Sequence, residues 1–133
     1  MKKLLLDTSV LVDFLRRKKK EETLLAKVFR AGYMPAISLI THTELYAGKS
    51  VWSKAKAKRE LENLLAGLDI IILNEEVSRL AGKIRAKYRL GIIDAIIAAE
   101  AIISQLPLVT LNLKDFEKVK GVKILLNLVK GND

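Results

Sequence analysis

Four acidic residues in this 133-residue chain sit where a carboxylate calls for a reason. Asp7 follows directly on the apolar run Leu4–Leu6 in "LLLDTSVLVDFL". Glu44 lies inside "SLITHTELYAG", Asp94 inside "IIDAIIAAEAII", and Asp115 in "LVTLNLKDFE", shortly after Thr110 and Asn112. An unpaired carboxylate beside buried apolar elements loses hydration, so it takes up a proton or recruits a cation. The isoleucines around Asp94, at positions 92, 93, 96 and 97, offer it no protein cation. Each acid alone has a plain structural reading. Asp7 fits a helix cap, Asp94 a charge favourable to a helix N-terminus worth about 0.3–1 kcal/mol, and Glu44 a solvent-facing glutamate. A cluster of them is different, because it repels itself and persists at neutral pH only when something positive neutralises it.

Composition restricts what that cation is. The chain has no cysteine and a single histidine, His42, which excludes disulfides, thiolate zinc sites, cysteine nucleophiles and multi-histidine metal sites. Oxygen is the ligand type on offer, and it suits Mg²⁺ or Mn²⁺. Such ions polarise a phosphoryl oxygen and activate water for in-line attack on a phosphodiester. Lys+Arg number 24 against 15 Asp+Glu, a formal charge of +9. That excess favours a polyanionic partner such as nucleic acid, although a lysine-rich surface kept for solubility gives the same count. An acidic pocket in a basic protein is coherent for phosphodiester hydrolysis, because the surface holds the phosphate backbone while metals let it approach the acids.

The elements that must position these acids read as alternating strands and helices. Lys3–Leu6 is expected to be a buried strand, and Val10–Arg17 a helix capped by Thr8 or Ser9. "RRKKKEE" is a charged junction, Thr23–Ala31 a helix stopped by Gly32, and "MPAIS" a second strand. Ser38 and Gly48 bracket a helix carrying Glu44. Val51–Leu68 is expected as one amphipathic helix, with Trp52, Ala55, Leu61, Leu64 and Leu65 on one stripe and the basic run Lys54–Arg59 opposite. "DIIIL" is a third strand, Glu75–Tyr88 a helix, Ile93–Ser104 a buried helix, "LVTL" a fourth strand, "KDFEKV" a helical turn and "VKILL" a last short strand. This alternation, with no hairpin signal, predicts an α/β fold: a three-layer α/β/α sandwich with a short, mainly parallel central sheet. Residues 1–133 are expected to form a single domain. The opening "MKKLLLDTS" is too short in apolar residues for a signal peptide or a membrane span, so a cytoplasmic protein with no membrane partner is expected. In open parallel sheets the binding crevice lies beyond the carboxyl ends of the strands, which is where Asp7 and the Thr110–Asp115 segment fall.

Taken together, "LLLDTSVLVDFL", "ISLITHTELYAG", "IIDAIIAAEA" and "LVTLNLKDFEKVKGV" resemble the PIN-domain ribonucleases, particularly the VapC-type toxins of toxin-antitoxin pairs. The four pieces come in that family's order and spacing and span nearly the whole chain. The resemblance implies a Mg²⁺- or Mn²⁺-dependent endoribonuclease whose metal ligands are Asp7, Glu44 and Asp94. The family's fourth acid falls where this chain has Asn112, with Asp115 three residues on, so Asn112, Asp115 or both complete the site. Thr8, Ser9 and Thr110 would be hydroxyls that orient ligands or water. The resemblance also implies an RNA substrate, a homodimer and a cognate VapB-type antitoxin that pushes a basic or aromatic side chain toward the acids.

His42 lies two positions from Glu44, on another side of the helix, and is read as incidental. Trp52 and Tyr46 are read as core or dimer residues before base-stacking ones, and Lys54–Arg59 as either an RNA track or a solvated face. A phosphoacceptor receiver domain is the reading from another class. It wants an aspartate at the end of the third strand, where this chain has Leu73 and Asn74. A non-toxin RNA-processing nuclease and an inactive RNA-binding module keep the same fold and differ in role.

Overall fold

A computed structural model describes residues 2–129. The elements run β1 (Lys3–Leu6), α1 (Thr8–Arg16), a 3-10 turn (Lys20–Glu22), α2 (Leu24–Arg30), β2 (Met34–Ser38), α3 (Leu39–Tyr46), α4 (Lys49–Ser53), α5 (Ala55–Ala66), β3 (Asp69–Ile71), α6 (Glu75–Tyr88), α7 (Ile92–Ser104), β4 (Leu108–Val109), α8 (Leu113–Glu117) and α9 (Leu126–Val129). The four strands form one sheet in the order β3-β2-β1-β4, and each pairing is parallel. Leu6 is in register with Ile37 on one side and Val109 on the other, and Ile37 with Ile70.

Strand periodicity divides the core between the two faces of this sheet. Leu4 and Leu6 pack with Val10, Leu11, Leu25, Val28, Leu45 and Leu61 from α1, α2, α3 and α5. Leu5 points the other way, into Val77, Ile84, Ile97 and Phe116 from α6, α7 and α8. The three-layer α/β/α sandwich expected from the sequence is the observed architecture. Because the chain winds outward through β1, β2 and β3 and then returns to β4 on the far side of β1, the connection reverses between β1 and β4. Asp7 and Thr110 leave the sheet at that reversal, the position where open α/β sheets bind their ligands.

Three expectations need correction. The helix expected over Val51–Leu68 is two helices, divided at Lys54, whose backbone is extended (φ −126°, ψ 115°). No proline or glycine marks the break. The Ser53 hydroxyl donates back to the Lys49 carbonyl and the Trp52 indole N–H to the Tyr46 carbonyl, so side chains close α4 and turn it away from α5. Trp52 is consequently 66% exposed, outside the buried stripe that Leu61 keeps. The last strand expected at "VKILL" is reduced to a single bridge between Leu108 and Ile124, followed by α9. Finally, α1 begins at Thr8, and neither Thr8 nor Ser9 caps it.

Candidate active site

Asp7 occupies the N-cap position of α1, yet its carboxylate makes no capping hydrogen bond. This removes the plain structural reading of that residue, since a capping aspartate accepts from the N–H groups of the first turn. Instead Asp7, 1% exposed, accepts from two hydroxyls. Ser9 Oγ donates at 2.7 Å and Thr110 Oγ1 at 2.8 Å, both to Oδ2. The same hydroxyls accept backbone N–H groups from the β4 exit: Ser9 from Leu111 at 3.1 Å and Thr110 from Asn112 at 2.9 Å. Asp7 is thereby locked to the loop after β4, and Oδ1 carries no hydrogen bond from the described residues.

Glu44 is held by a similar device. Thr8 Oγ1 donates to Glu44 Oε1 at 2.6 Å and lies 2.9 Å from Thr41 Oγ1. A hydroxyl has one hydrogen, and Thr8 spends it on Glu44, so Thr41 is the donor to Thr8 and a directed chain runs Thr41 to Thr8 to Glu44. Helix α3 starts where Ser38 Oγ accepts the Ile40 N–H, and this start sets the rotation that brings Thr41 and Glu44, three residues apart, to one face. His42 and Tyr46 point elsewhere, their rings 4.9 Å apart, with Trp52 5.8 Å beyond Tyr46.

Asp94 sits in the first turn of α7, half-buried, with no hydrogen bond from the described residues. Burial, and after it the charges of Asp7, Asp115 and Glu44, push its carboxyl from the usual 3.8 up to about 6. That ordering is informative: three of the sequence-predicted acids are near enough for Asp94 to sense each one. Asp7, Glu44, Asp94 and Asn112 share a cavity of about 430 Å³ with Thr8, Ser9 and Ile92. Asp115 does not line that cavity and acts on it through charge alone. Among the described residues the ion pairs are Arg17–Asp13 and Arg79–Glu75, so no protein cation neutralises the cavity acids.

These donors fit a hard divalent cation: carboxylate, amide and hydroxyl oxygens around one cavity, mutually repelling and without a basic partner. Among the described residues, no three acidic or histidine side chains are closed tightly enough to form a metal cluster as they stand.

Sequence reasoning missed two residues. Thr41 was legible only through its three-residue offset from Glu44 on α3. Glu100, inside the most apolar helix, is fully buried with neither carboxylate oxygen hydrogen-bonded. Burial pushes it from 4.5 up to about 7.

Residues 4–122 match the PIN domain family. The chain belongs to that family. Among curated PIN-type relatives, ribonuclease VapC1 of Methanocaldococcus jannaschii is 34% identical over 129 residues, covering 92% of this chain and 86% of that protein. Among solved structures, a toxin-antitoxin complex from Klebsiella pneumoniae matches with a TM-score of 0.73 at 30% identity, over 90% of this chain and 94% of the other. DNA-bound VapBC from Salmonella typhimurium matches with a TM-score of 0.78 at 25% identity, over 93% and 97%. The parallel α/β/α sandwich with sheet order β3-β2-β1-β4 is thus this chain's PIN fold.

Proposed function

We propose that this chain, acting as a single domain over residues 1–133, is a Mg²⁺- or Mn²⁺-dependent endoribonuclease and the toxin of a toxin-antitoxin pair. The observation that carries this is the arrangement at Asp7: an N-cap aspartate that caps nothing, fixed by two hydroxyls beside Glu44 and Asp94 with no protein cation between them. Asp7, Glu44 and Asp94 would hold the ion, with Asn112 on the cavity wall and Asp115 contributing charge. A divalent cation bound there supplies phosphoryl polarisation and an activated water for in-line displacement.

The chain's own residues do the rest. Ser9 and Thr110 hold Asp7 Oδ2 and the Thr41–Thr8 chain holds Glu44 Oε1, which would leave Asp7 Oδ1 and Glu44 Oε2 for the ion. Ile92 and Ile93 line the cavity beside Asp94 and give part of its wall an apolar character. The formal charge of +9 favours RNA over neutral substrates.

Beside the acids, a groove of about 240 Å³ with an apolar floor of Val12, Leu15, Leu45, Val51 and Leu61 also carries Arg16, Glu60 and Glu44 itself. It suits a segment of a VapB-type antitoxin laid against the toxin, and this reading includes a homodimer working in the cytoplasm. Among the described residues no helix is long and apolar enough to cross a membrane.

The test is incubation of labelled total RNA with the purified protein in Mg²⁺, Mn²⁺ or EDTA, beside the Asp94→Asn variant. Discrete products that need metal and vanish in the variant support the reading. A folded, metal-supplied protein that cuts nothing in the pool, while still binding RNA, favours the inactive RNA-binding module.

A further inference from the structure

A second cavity, of about 210 Å³, opens between α6, α7 and the turn after α8. Its polar lining consists of Lys83, Lys87, Lys120 and Tyr88, over a floor that includes Ile84 and Ile102, and no carboxylate lines it. Lys83 and Lys87 are one helical turn apart on α6, while Lys120 arrives from sequence 32 residues beyond Tyr88. The Lys120 backbone N–H donates to Tyr88 Oη at 3.2 Å and Lys87 Nζ stands 5.3 Å from the Tyr88 ring centre, so the phenol ties the cationic groups together. That N–H, with the charges of Lys87 and Lys120 adding to it, holds the phenol below its usual 10.0. Among the described residues none of the three lysines enters an ion pair.

The position relative to the acids gives this cluster a use. Ile102 lies eight residues after Asp94 on α7, about 12 Å along the helix axis. Gly91 and Ile92, which line the acid cavity, follow Tyr88 by only a few residues. Arg89, at the C-terminal end of α6 in the chain that leads to Gly91, is exposed and in the left-handed region (φ 58°), where glycine or asparagine is the easier choice. An anionic strand held in the acid cavity would reach the lysine cluster within a few nucleotides.

We propose that Lys83, Lys87 and Lys120, gathered around Tyr88, form a phosphate-binding subsite that grips the RNA strand a few nucleotides from the acid cavity. The ligand class rests on the nuclease reading above; the cationic convergence does not.

The test measures binding of a labelled oligouridylate to the full chain in EDTA, as a function of salt, for wild type and for Lys83→Gln/Lys87→Gln/Lys120→Gln, with melting temperatures confirming that both are folded. Three phosphate contacts predict that the slope of log affinity against log salt falls by about 2 in the variant, with affinity at low salt reduced at least about tenfold. An unchanged slope overturns the subsite. So does an equal fall on replacing the exposed Lys2, Lys18 and Lys19, which would show that net charge alone governs binding. Wild type that cleaves RNA while the triple variant binds normally overturns the subsite and leaves the nuclease. Wild type that binds through these lysines and cuts no RNA overturns the nuclease and leaves the subsite.

Discussion

Thr8 Oγ1 donates a 2.6 Å hydrogen bond to Glu44 Oε1, joining the first residue of α1 to α3 across 36 positions of sequence. The bond is the last link of a chain that begins at the buried Thr41 hydroxyl, so it fixes both the rotamer and the free oxygen of Glu44. Thr8→Val keeps the shape and removes the donor. We expect it to weaken Mn²⁺ affinity and cleavage by about 10- to 100-fold, in line with other groups that orient metal ligands, at a stability cost of about 1 kcal/mol. Thr8→Ser should restore most of the affinity. Titration with Mn²⁺ followed by cleavage rates reads both, and a Thr8→Val protein with wild-type affinity would remove Thr8 from the site.

Asp94 makes the cavity's self-repulsion measurable without any substrate. Its folded value of about 6 lies above the ordinary 3.8, so the fold favours the protonated acid. The resulting destabilisation is absent below the ordinary value, builds as pH rises through the interval, and is fully present above about 6. Asp94→Asn removes it. In EDTA at pH 8 the variant should therefore melt above wild type, with the difference closing near pH 4. Mn²⁺ should reverse the order by stabilising wild type, about 2.7 kcal/mol at a hundred times the dissociation constant, and should leave the variant nearly unmoved. A variant that melts below wild type in EDTA at pH 8 would return Asp94 to the role of a favourable helix N-terminal charge.

Glu100 gives a second pH signature, remote from the acids by six residues of α7. Both oxygens are buried without partners, and the carboxyl rises from 4.5 to about 7. Folding stability should fall as pH climbs through that interval and stay lower above it, by an upper limit of about 3 kcal/mol. Glu100→Met replaces the carboxyl with an apolar group of similar length. Urea denaturation at pH 5 and pH 8 should show the variant close to wild type at the lower pH and clearly more stable at the higher one. Equal stabilities at pH 8 would mean that the carboxylate finds partners in solution.

Much of this was readable in advance because it depends on local chemistry. Ser38 and Thr23 accept the first N–H groups of α3 and α2, and Asn74 does so for α6, which is why those helices begin where their sequences suggest. The short unbroken apolar run Leu4–Leu6 assigned a buried strand, and the acid at its end followed from it. What escaped was tertiary in origin. The basic run ending in Lys20 reads as a solvated junction, yet Lys20 Nζ donates to the carbonyls of Phe14, Leu15 and Arg17 and closes the end of α1. Ser9 and Thr8 have the composition of caps, and only the packing of β4 and α3 beside them turns their hydroxyls toward Asp7 and Glu44 instead. The α4–α5 break rests on Trp52 and Ser53 bonding backward, a choice no periodicity records.

The sequence left Asn112 and Asp115 as competing completions of the acid set, and the geometry separates them. Asn112 lines the cavity and donates its backbone N–H to Thr110 Oγ1, the hydroxyl that holds Asp7. Asp115 sits in the first turn of α8 and reaches Asp94 by charge alone. Substitution at the two positions should therefore differ in kind. Asn112→Asp places a further carboxylate on the cavity wall, which should lower the melting temperature in EDTA and tighten Mn²⁺ binding, because added repulsion in the free protein and added attraction in the loaded one have the same source. Asp115→Asn should do the reverse, and mildly: a small gain in EDTA stability, a small loss of Mn²⁺ affinity and cleavage that survives. Melting curves with and without Mn²⁺ for both variants decide it. If Asp115→Asn abolishes cleavage while Asn112→Asp changes neither quantity, the loop after β4 rearranges on metal binding and Asp115 is the fourth ligand.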